Sequence, residues 1–214
     1  MLLYYITDRK GFAGIDPEQR VAVLCRIAEA ARAAVDYIQL REKDLSAEEL
    51  EPLAREAVSA VRENSTVTKV LVNGHSDIAI AVGADGVHLP AGFPPADEIR
   101  DQWLRHSDRE PIIGVSAHSV DEVRQAESNG ASFAVLAPIF EKATTSAKGL
   151  GLKVLRMACA PSPGLPNSFA VLALGGVTLA NARSCLEAGA AGCAGIRLFQ
   201  QGDIAETVRR LHTI

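Results

Sequence analysis

Eight short apolar runs recur along the chain with helix-patterned segments between them, and this alternation constrains the fold more than any other feature. The runs are Leu3–Thr7, Tyr37–Leu40, Lys69–Asn73, Gly86–Leu89, Ile112–Val115, Phe133–Leu136, Phe169–Leu174 and Cys193–Ile196. Most are continuous rather than alternating in polarity, the mark of strands buried on both faces of a parallel sheet. Between them apolar residues fall at helical spacing, as at Val21, Leu24, Cys25, Ala28 and Ala31. Asp16-Pro17 before that segment reads as an N-cap followed by a proline at the first helical position. Ser46-Ala-Glu-Glu49 and Ser119-Val-Asp-Glu122 are capping boxes, the first opening a helix that runs to the region of Arg62. Thr178 and Asp203 are expected to begin further helices.

Helix passes to strand through a repeated small-residue turn: Ala34-Val-Asp-Tyr37, Gly83-Ala-Asp-Gly86, Gly130-Ala-Ser-Phe133 and Gly189-Ala-Ala-Gly192. Each is expected to close its helix on a left-handed cap and enter the strand at once. The likeness is local and too degenerate to prove duplication. Eight such units in 214 residues give roughly 26 residues each, in the lower range of a (β/α)8 barrel. The predicted fold is therefore α/β, a single-domain (β/α)8 TIM barrel over residues 1–214, with an open doubly wound sheet as the runner-up. Pro161–Ser168 reads as a long loop on the bottom face, because the strand resumes at Phe169 without a change in composition.

Composition removes several functions. Lys and Arg number 22 against 26 Asp and Glu, a formal charge of −4, so there is no basic excess to neutralise a nucleic-acid backbone. No apolar run reaches the roughly 20 residues of a membrane helix, and Met1–Ile6 is too short and lacks the basic stretch of a signal peptide. A cytoplasmic chain without nucleic-acid or membrane partners is expected. Cys25, Cys159, Cys185 and Cys193 lie among Ala, Leu and Val, with no C-x-x-C and no His at ligand spacing, and are expected to be buried reduced thiols.

In a parallel barrel, chemistry belongs where the strands end. Those ends are polar here: Thr7-Asp8-Arg9, Gln39 through Lys43, Asn73-Gly-His75, His88, Ser116-Ala-His118, Glu141-Lys142 with Thr144, Thr145 and Lys148, Gly175-Gly176, and Gly195-Ile196-Arg197. The last two groups end strands seven and eight, where barrels commonly hold a phosphate on backbone N–H groups. Gly175, Gly176, Gly195, Ile196 and Arg197 are accordingly the phosphate-site candidates, with Arg197 able to grip two oxygens. The alternative is a tight turn with Arg197 salt-bridged at the surface. Gln39, Arg41 and Lys43 alternate along one strand end and so share a face, which suits a polar heterocycle or a second anion. The alternative there pairs Arg41 or Lys43 with Glu42 or Asp44. His88, in an otherwise apolar strand, reads as a hydrogen-bonded core histidine. His75 and His118 follow strands three and five, and imidazole is the side chain best suited to proton transfer near neutral pH.

Taken in order, Tyr5-Ile-Thr-Asp8, Ile38-Gln-Leu-Arg-Glu-Lys43, Val72-Asn73, Gly83-Ala-Asp-Gly-Val-His-Leu89, Ile113-Gly-Val-Ser116 with His118-Ser119, Pro138-Ile-Phe140, Ala173-Leu-Gly-Gly-Val177 and Ala188-Gly-Ala190 cover essentially the whole chain. Together they resemble the family of thiamin phosphate synthase and its relative, the thiazole tautomerase. The resemblance implies a (β/α)8 barrel acting on the phosphorylated thiazole of thiamin biosynthesis. It assigns Gln39, Arg41 and Lys43, with Asn73 and Ser116 nearby, to an aminopyrimidine diphosphate. It assigns Gly176, Ile196 and Arg197 to the thiazole phosphate, Arg197 replacing the family's usual small hydroxyl residue. Lys142 and Lys148 are the two candidates for the lysine of the sixth loop.

The departures from the family bear on the reaction. On the synthase side the resemblance implies Mg²⁺, held by an Asp directly after the strand-three Asn and another beyond the strand-four His. Those places are Gly74 and the carboxylate-free Leu89–Pro94, leaving Asp8, Asp44 or Asp97 as substitutes. Leu89-Pro90 and Phe140-Glu141 look like the tautomerase side, which needs a phosphate anchor and a proton donor–acceptor but no metal or other cofactor. The tautomerase histidine, two residues before that Phe-Glu, is Pro138 here. Proton transfer then falls to His118, His75 or Glu141, with His118 first. The residues favour a metal-independent tautomerase-like isomerase. The alternative is the synthase, coupling aminopyrimidine diphosphate to thiazole phosphate with release of pyrophosphate, and a third reading is a non-catalytic thiazole-phosphate-binding relative. A homodimer is left open.

Overall fold

The structure is a computed structural model that describes residues 1–141, 148–161 and 169–214. Its strands are β1 (Leu2–Ile6), β2 (Tyr37–Leu40), β3 (Lys69–Asn73), β4 (Gly86–Leu89), β5 (Ile112–Ala117), β6 (Phe133–Leu136), β7 (Val171–Ala173) and β8 (Gly192–Gly195). Each pairs in parallel with its sequence neighbours, and β8 pairs with β1, closing the barrel. The helices are α1 (Asp16–Arg32), α2 (Ala47–Asn64), α3 (Ser76–Ala81), α4 (Ala96–Leu104), α5 (Val120–Ser128), α6 (Gly151–Cys159), α7 (Ala182–Glu187), α8 (Arg197–Gln200) and α9 (Ile204–His212). The closed (β/α)8 barrel is the predicted fold; the open sheet is not formed. Pro161 is described, but the rest of the loop expected through Ser168 lies outside the described residues.

Two cores follow from strands buried on both faces. One lies between strands and helices and takes in Ile27, Leu53, Val70 and Leu155. The other fills the interior with Tyr4, Ile6, Leu71, Phe133, Val135, Leu172 and Ala194. Its centre is aromatic: Tyr37 stacks on Phe133 at 5.1 Å between ring centroids, and Tyr4 meets Phe133 edge-on at 5.3 Å. Gly114 makes room for this, since a Cβ there would stand 2.6 Å from the Phe133 ring.

The repeated turn is a structural device. Ala34, Gly83, Gly130 and Gly189 all have positive φ, between 58° and 100°. The next residue in each case sends its N–H back into the helix, Val35 to Ala30, Ala84 to Ala79, Ala131 to Ala126 and Ala190 to Cys185, which is the Schellman closure. In three of the four, the residue after that ties down a neighbouring strand. Asp36 Oδ2 accepts the Leu3 N–H at 2.8 Å, Asp85 Oδ2 the Val70 N–H at 2.8 Å, and Ser132 Oγ the Ile113 N–H at 3.0 Å. Ala191, in the fourth, has no side-chain acceptor to offer.

Several expectations need correction. Asp16 is the first helical residue of α1 rather than its cap; Glu18 instead accepts the Ile15 N–H, and the Asp16 carboxylate goes to Arg9. Helix α7 starts at Ala182, because residues from Thr178 first make a tighter turn in which Asn181 N–H reaches the Thr178 carbonyl. Strand β7 is shorter than its apolar run. Cys185 and Cys193 are buried thiols, but Cys159 is only partly covered and Cys25 is exposed on α1.

Candidate active site

Four polar side chains cross the barrel interior beneath its C-terminal mouth. Gln39 Nε2 donates to the Tyr4 hydroxyl at 2.9 Å, that hydroxyl meets His88 Nδ1 at 3.1 Å, and His88 Nε2 meets the Ser116 hydroxyl at 2.8 Å. Period-two alternation places Tyr4 on the inner face of β1 between Leu2 and Ile6. Burial pushes the Tyr4 phenol above its ordinary range. Burial, with the nearby Arg41 charge, pushes the His88 imidazole down to about 3. Both are neutral at physiological pH. His88 is the hydrogen-bonded core histidine expected of it. Gln39 is buried and commits its amide to Tyr4, while Ser116 is half-buried and Asn73 pairs in register with His88. Sequence reasoning missed Tyr4, although its alternation with Leu2 and Ile6 marks it as inward-facing.

The end of β2 is organised by Thr7, Arg9 and Glu42. Thr7 Oγ1 donates to Glu42 Oε1 at 2.6 Å and accepts the Arg41 N–H at 3.0 Å, and the Arg9 N–H donates to Glu42 Oε2 at 3.0 Å. The buried Arg9 guanidinium pairs with Asp44 at 2.7 Å and Asp16 at 2.6 Å, and Lys10 reaches Asp44 at 3.0 Å. The Arg9 hydrogen bonds hold the Asp44 carboxyl well below the usual carboxylate range, while burial raises Glu42 against the pull of Thr7 and Arg9. Glu42 and Asp44, the acids beside Arg41 and Lys43 in sequence, are thus already paired. Neither cation has an ion pair among the described residues, so the alternative pairing with Glu42 or Asp44 is not formed. Strand β2 ends at Leu40, so Arg41 and Lys43 stand on the loop beyond it, with buried Glu42 between them. They line a cleft of about 290 Å³ with Asp8 and Lys10.

A second cleft, of about 650 Å³, lies above β7 and β8 and brings together Gly175, Gly176, Gly195, Ile196 and Arg197, with Arg210 also on its wall. Helix α8 begins at Arg197; the Phe199 and Gln200 N–H groups donate to the Ile196 carbonyl, while those of Arg197 and Leu198 have no acceptor within the helix. Gly175 and Gly176 have φ of 91° and 68°, and a Cβ on either would stand 2.7 Å from Pro138 or Phe140. Packing against the loop after β6 therefore demands both glycines before any ligand does. Arg197 is exposed and has no ion pair among the described residues, contrary to the surface salt bridge considered for it.

The proton-transfer candidates stand on separate loops. His118 Nδ1 donates to the Ala137 carbonyl at 2.9 Å, because a carbonyl only accepts, and Nε2, on an exposed ring, has no partner among the described residues. Its backbone N–H is held by Glu122 at 2.8 Å. His75 precedes α3 and is half-buried; Glu141 and Lys148 are exposed. No bond among the described residues joins these groups. Lys142, Thr144 and Thr145 lie outside the described residues.

The described residues do not fit a magnesium ion. Among the described residues no group of three His, Cys, Asp or Glu is placed to hold a metal. Gly74 has φ of 73°, and a Cβ there would stand 3.2 Å from the Phe93 ring, so a carboxylate could be seated only by moving Phe93. Asp44 is taken by Arg9 and Lys10, and Asp97 accepts the Glu98 N–H on its own helix. Asp8 alone does not make an oxygen cage.

Fold and mouth define a (β/α)8 barrel with a cleft holding Arg41 and Lys43 and another holding Arg197 and Arg210 at the C-terminal ends of its strands. The thiamine monophosphate synthase family model matches residues 3–199, and the chain belongs to that family. It is 38% identical over 199 residues to the putative thiamine-phosphate synthase 2 of Aquifex aeolicus (strain VF5), covering 92% of this chain and 96% of that protein. It is 35% identical over 217 residues to the thiamine-phosphate synthase of Methanoculleus marisnigri, covering 98% and 92%. The structure matches a thiamine phosphate pyrophosphorylase from Pyrococcus furiosus with a TM-score of 0.79 at 27% identity, covering 99% and 94% of the two chains. These relatives carry the names of the coupling enzyme, so the preference for an isomerase, drawn from the missing carboxylates, finds no support in them.

Proposed function

We propose that this chain couples an aminopyrimidine diphosphate to a thiazole phosphate with release of pyrophosphate. The observation that carries the reading is the pair of separate clefts flanking β1, each with cations that have no ion pair among the described residues, Arg41 and Lys43 in one and Arg197 in the other. Two anionic substrates need two such sites, whereas an isomerase needs one. In this assignment Gln39, Arg41, Lys43, Asn73, Ser116 and Lys148 serve the pyrimidine diphosphate, and Gly175, Gly176, Gly195, Ile196 and Arg197 serve the thiazole phosphate. The pyrimidine carbon–oxygen bond breaks with its electron pair leaving on pyrophosphate, and the thiazole nitrogen lone pair forms the new carbon–nitrogen bond. The cations Arg41 and Lys43 meet the leaving group's charge directly. The test is pyrophosphate release from purified protein given both substrates, with Mg²⁺ and separately with EDTA. Release in EDTA is expected, and no release at high enzyme in either condition overturns the reading.

A second reading, isomerisation of a carboxythiazole phosphate, is favoured by one observation: His118 has Nδ1 pinned to Ala137 and Nε2 without a partner among the described residues, the arrangement of a positioned base. Isomer conversion that His118→Ala abolishes would establish it, with Glu141→Gln and His75→Ala marking the partner acid.

A further inference from the structure

We propose that Tyr4 and His88 are positioning residues that fix the direction of the Ser116 hydroxyl, making Ser116 a hydrogen-bond donor to whatever binds in the mouth. The argument is a count of protons along the buried line. Gln39 Nε2 can only donate, so the Tyr4 oxygen accepts from it at 2.9 Å. Tyr4 has one proton, and its other partner is His88 Nδ1 at 3.1 Å. That nitrogen therefore accepts, and a neutral imidazole that accepts at Nδ1 carries its proton at Nε2. Nε2 then donates to Ser116 Oγ at 2.8 Å. Having accepted from His88, Ser116 keeps its own proton for a ligand. Reversing the Tyr4–His88 link would leave the buried Tyr4 proton with no acceptor among the described residues.

The surroundings hold this polarity in place. Tyr4, Gln39 and His88 are buried, so water cannot substitute for any of them, and Phe133 packs against both Tyr4 and His88. Burial also keeps His88 uncharged, with a pKa near 3, so the imidazole has one proton to place. Ser116 is the first member that emerges, lining a cleft of about 270 Å³ with Val115, Pro90 and Phe93. The line therefore presents a proton to a ligand atom that accepts, such as a ring nitrogen or a phosphoryl oxygen.

The tautomer is read directly by nitrogen NMR of histidine-labelled, ligand-free protein at neutral pH, with His88→Gln assigning the signal. His88 is expected as the Nε2–H form; the Nδ1–H form overturns the proposal. Tyr4→Phe and Gln39→Met, which each break the line at a different point, are expected to release the preference, and a tautomer unchanged in both also overturns it. The kinetic arm rests on the coupling reaction. Ser116→Ala and Tyr4→Phe are each expected to lower kcat/KM roughly 10- to 100-fold, the scale of one strong hydrogen bond. Tyr4→Phe should cost nothing further once Ser116 is Ala; independent, additive losses would mean that Tyr4 acts structurally. If no coupling is detected, that reaction fails while the tautomer still decides the relay, and the same cycle is read on affinity for the pyrimidine diphosphate.

Discussion

Where the strands begin, one device recurs around the barrel: a left-handed turn, a Schellman closure and, in three quarters of the four, a side-chain acceptor for a neighbouring strand's N–H. Where the strands end, each carries its own residues, from Arg41 and Lys43 after β2 to Arg197 after β8. The lower end solves one problem several times, that of starting a buried strand without leaving an N–H unpaired. The upper end leaves Arg41, Lys43 and Arg197 without ion-pair partners among the described residues, which does nothing for stability and much for a ligand. The difference predicts that substitutions below cost stability and spare binding, and that substitutions above do the reverse.

The largest expected effect tests the middle of the barrel. Folded His88 resists protonation until about pH 3, against an ordinary value of 6.5. In between, the unfolded chain binds the extra proton, so stability is lost as pH falls below 6.5, by roughly 1.4 kcal/mol per pH unit. Denaturant titrations across that window should show the slope, and His88→Gln should remove that part of it. Next, Arg9→Ala is the substitution most able to break the comparison, since it lies at the upper end yet removes a buried guanidinium paired with Asp16, Asp44 and Glu42. A loss of about 3 kcal/mol is expected by chemical denaturation, together with weaker ligand binding. Asp85→Ala removes the acceptor for Val70 N–H and the Arg62 pair, and should cost about 2 kcal/mol with ligand affinity unchanged. Ser132→Ala, the same device without charge, should cost about 1 kcal/mol. Arg197→Ala closes the series: stability should stay within about 0.5 kcal/mol of wild type. Calorimetry should nevertheless show a phosphorylated thiazole bound about 1.5–3 kcal/mol more weakly. An unchanged affinity would remove Arg197 from the phosphate site.

The strands were legible because β3 and β4 are apolar almost throughout, as both faces are covered. Ser46, Ser119 and Asp203 were legible as helix starts, and each does accept an N–H from the residue three further on. Asp16 was misread because its carboxylate had a stronger partner, Arg9, which no local pattern reveals. The strand-end rule gathered the candidate site, yet it could not choose among neighbouring acids. That choice is made by Arg9 reaching Asp44 from 35 residues away. The Tyr4–His88 contact spans 84 residues and could be found only once the barrel closed.

The interlocked rings of Tyr4, Tyr37 and Phe133 make the barrel a cup and not a tube. A cup has one doorway. Whatever settles against Ser116 must enter past the rim and leave by the same route.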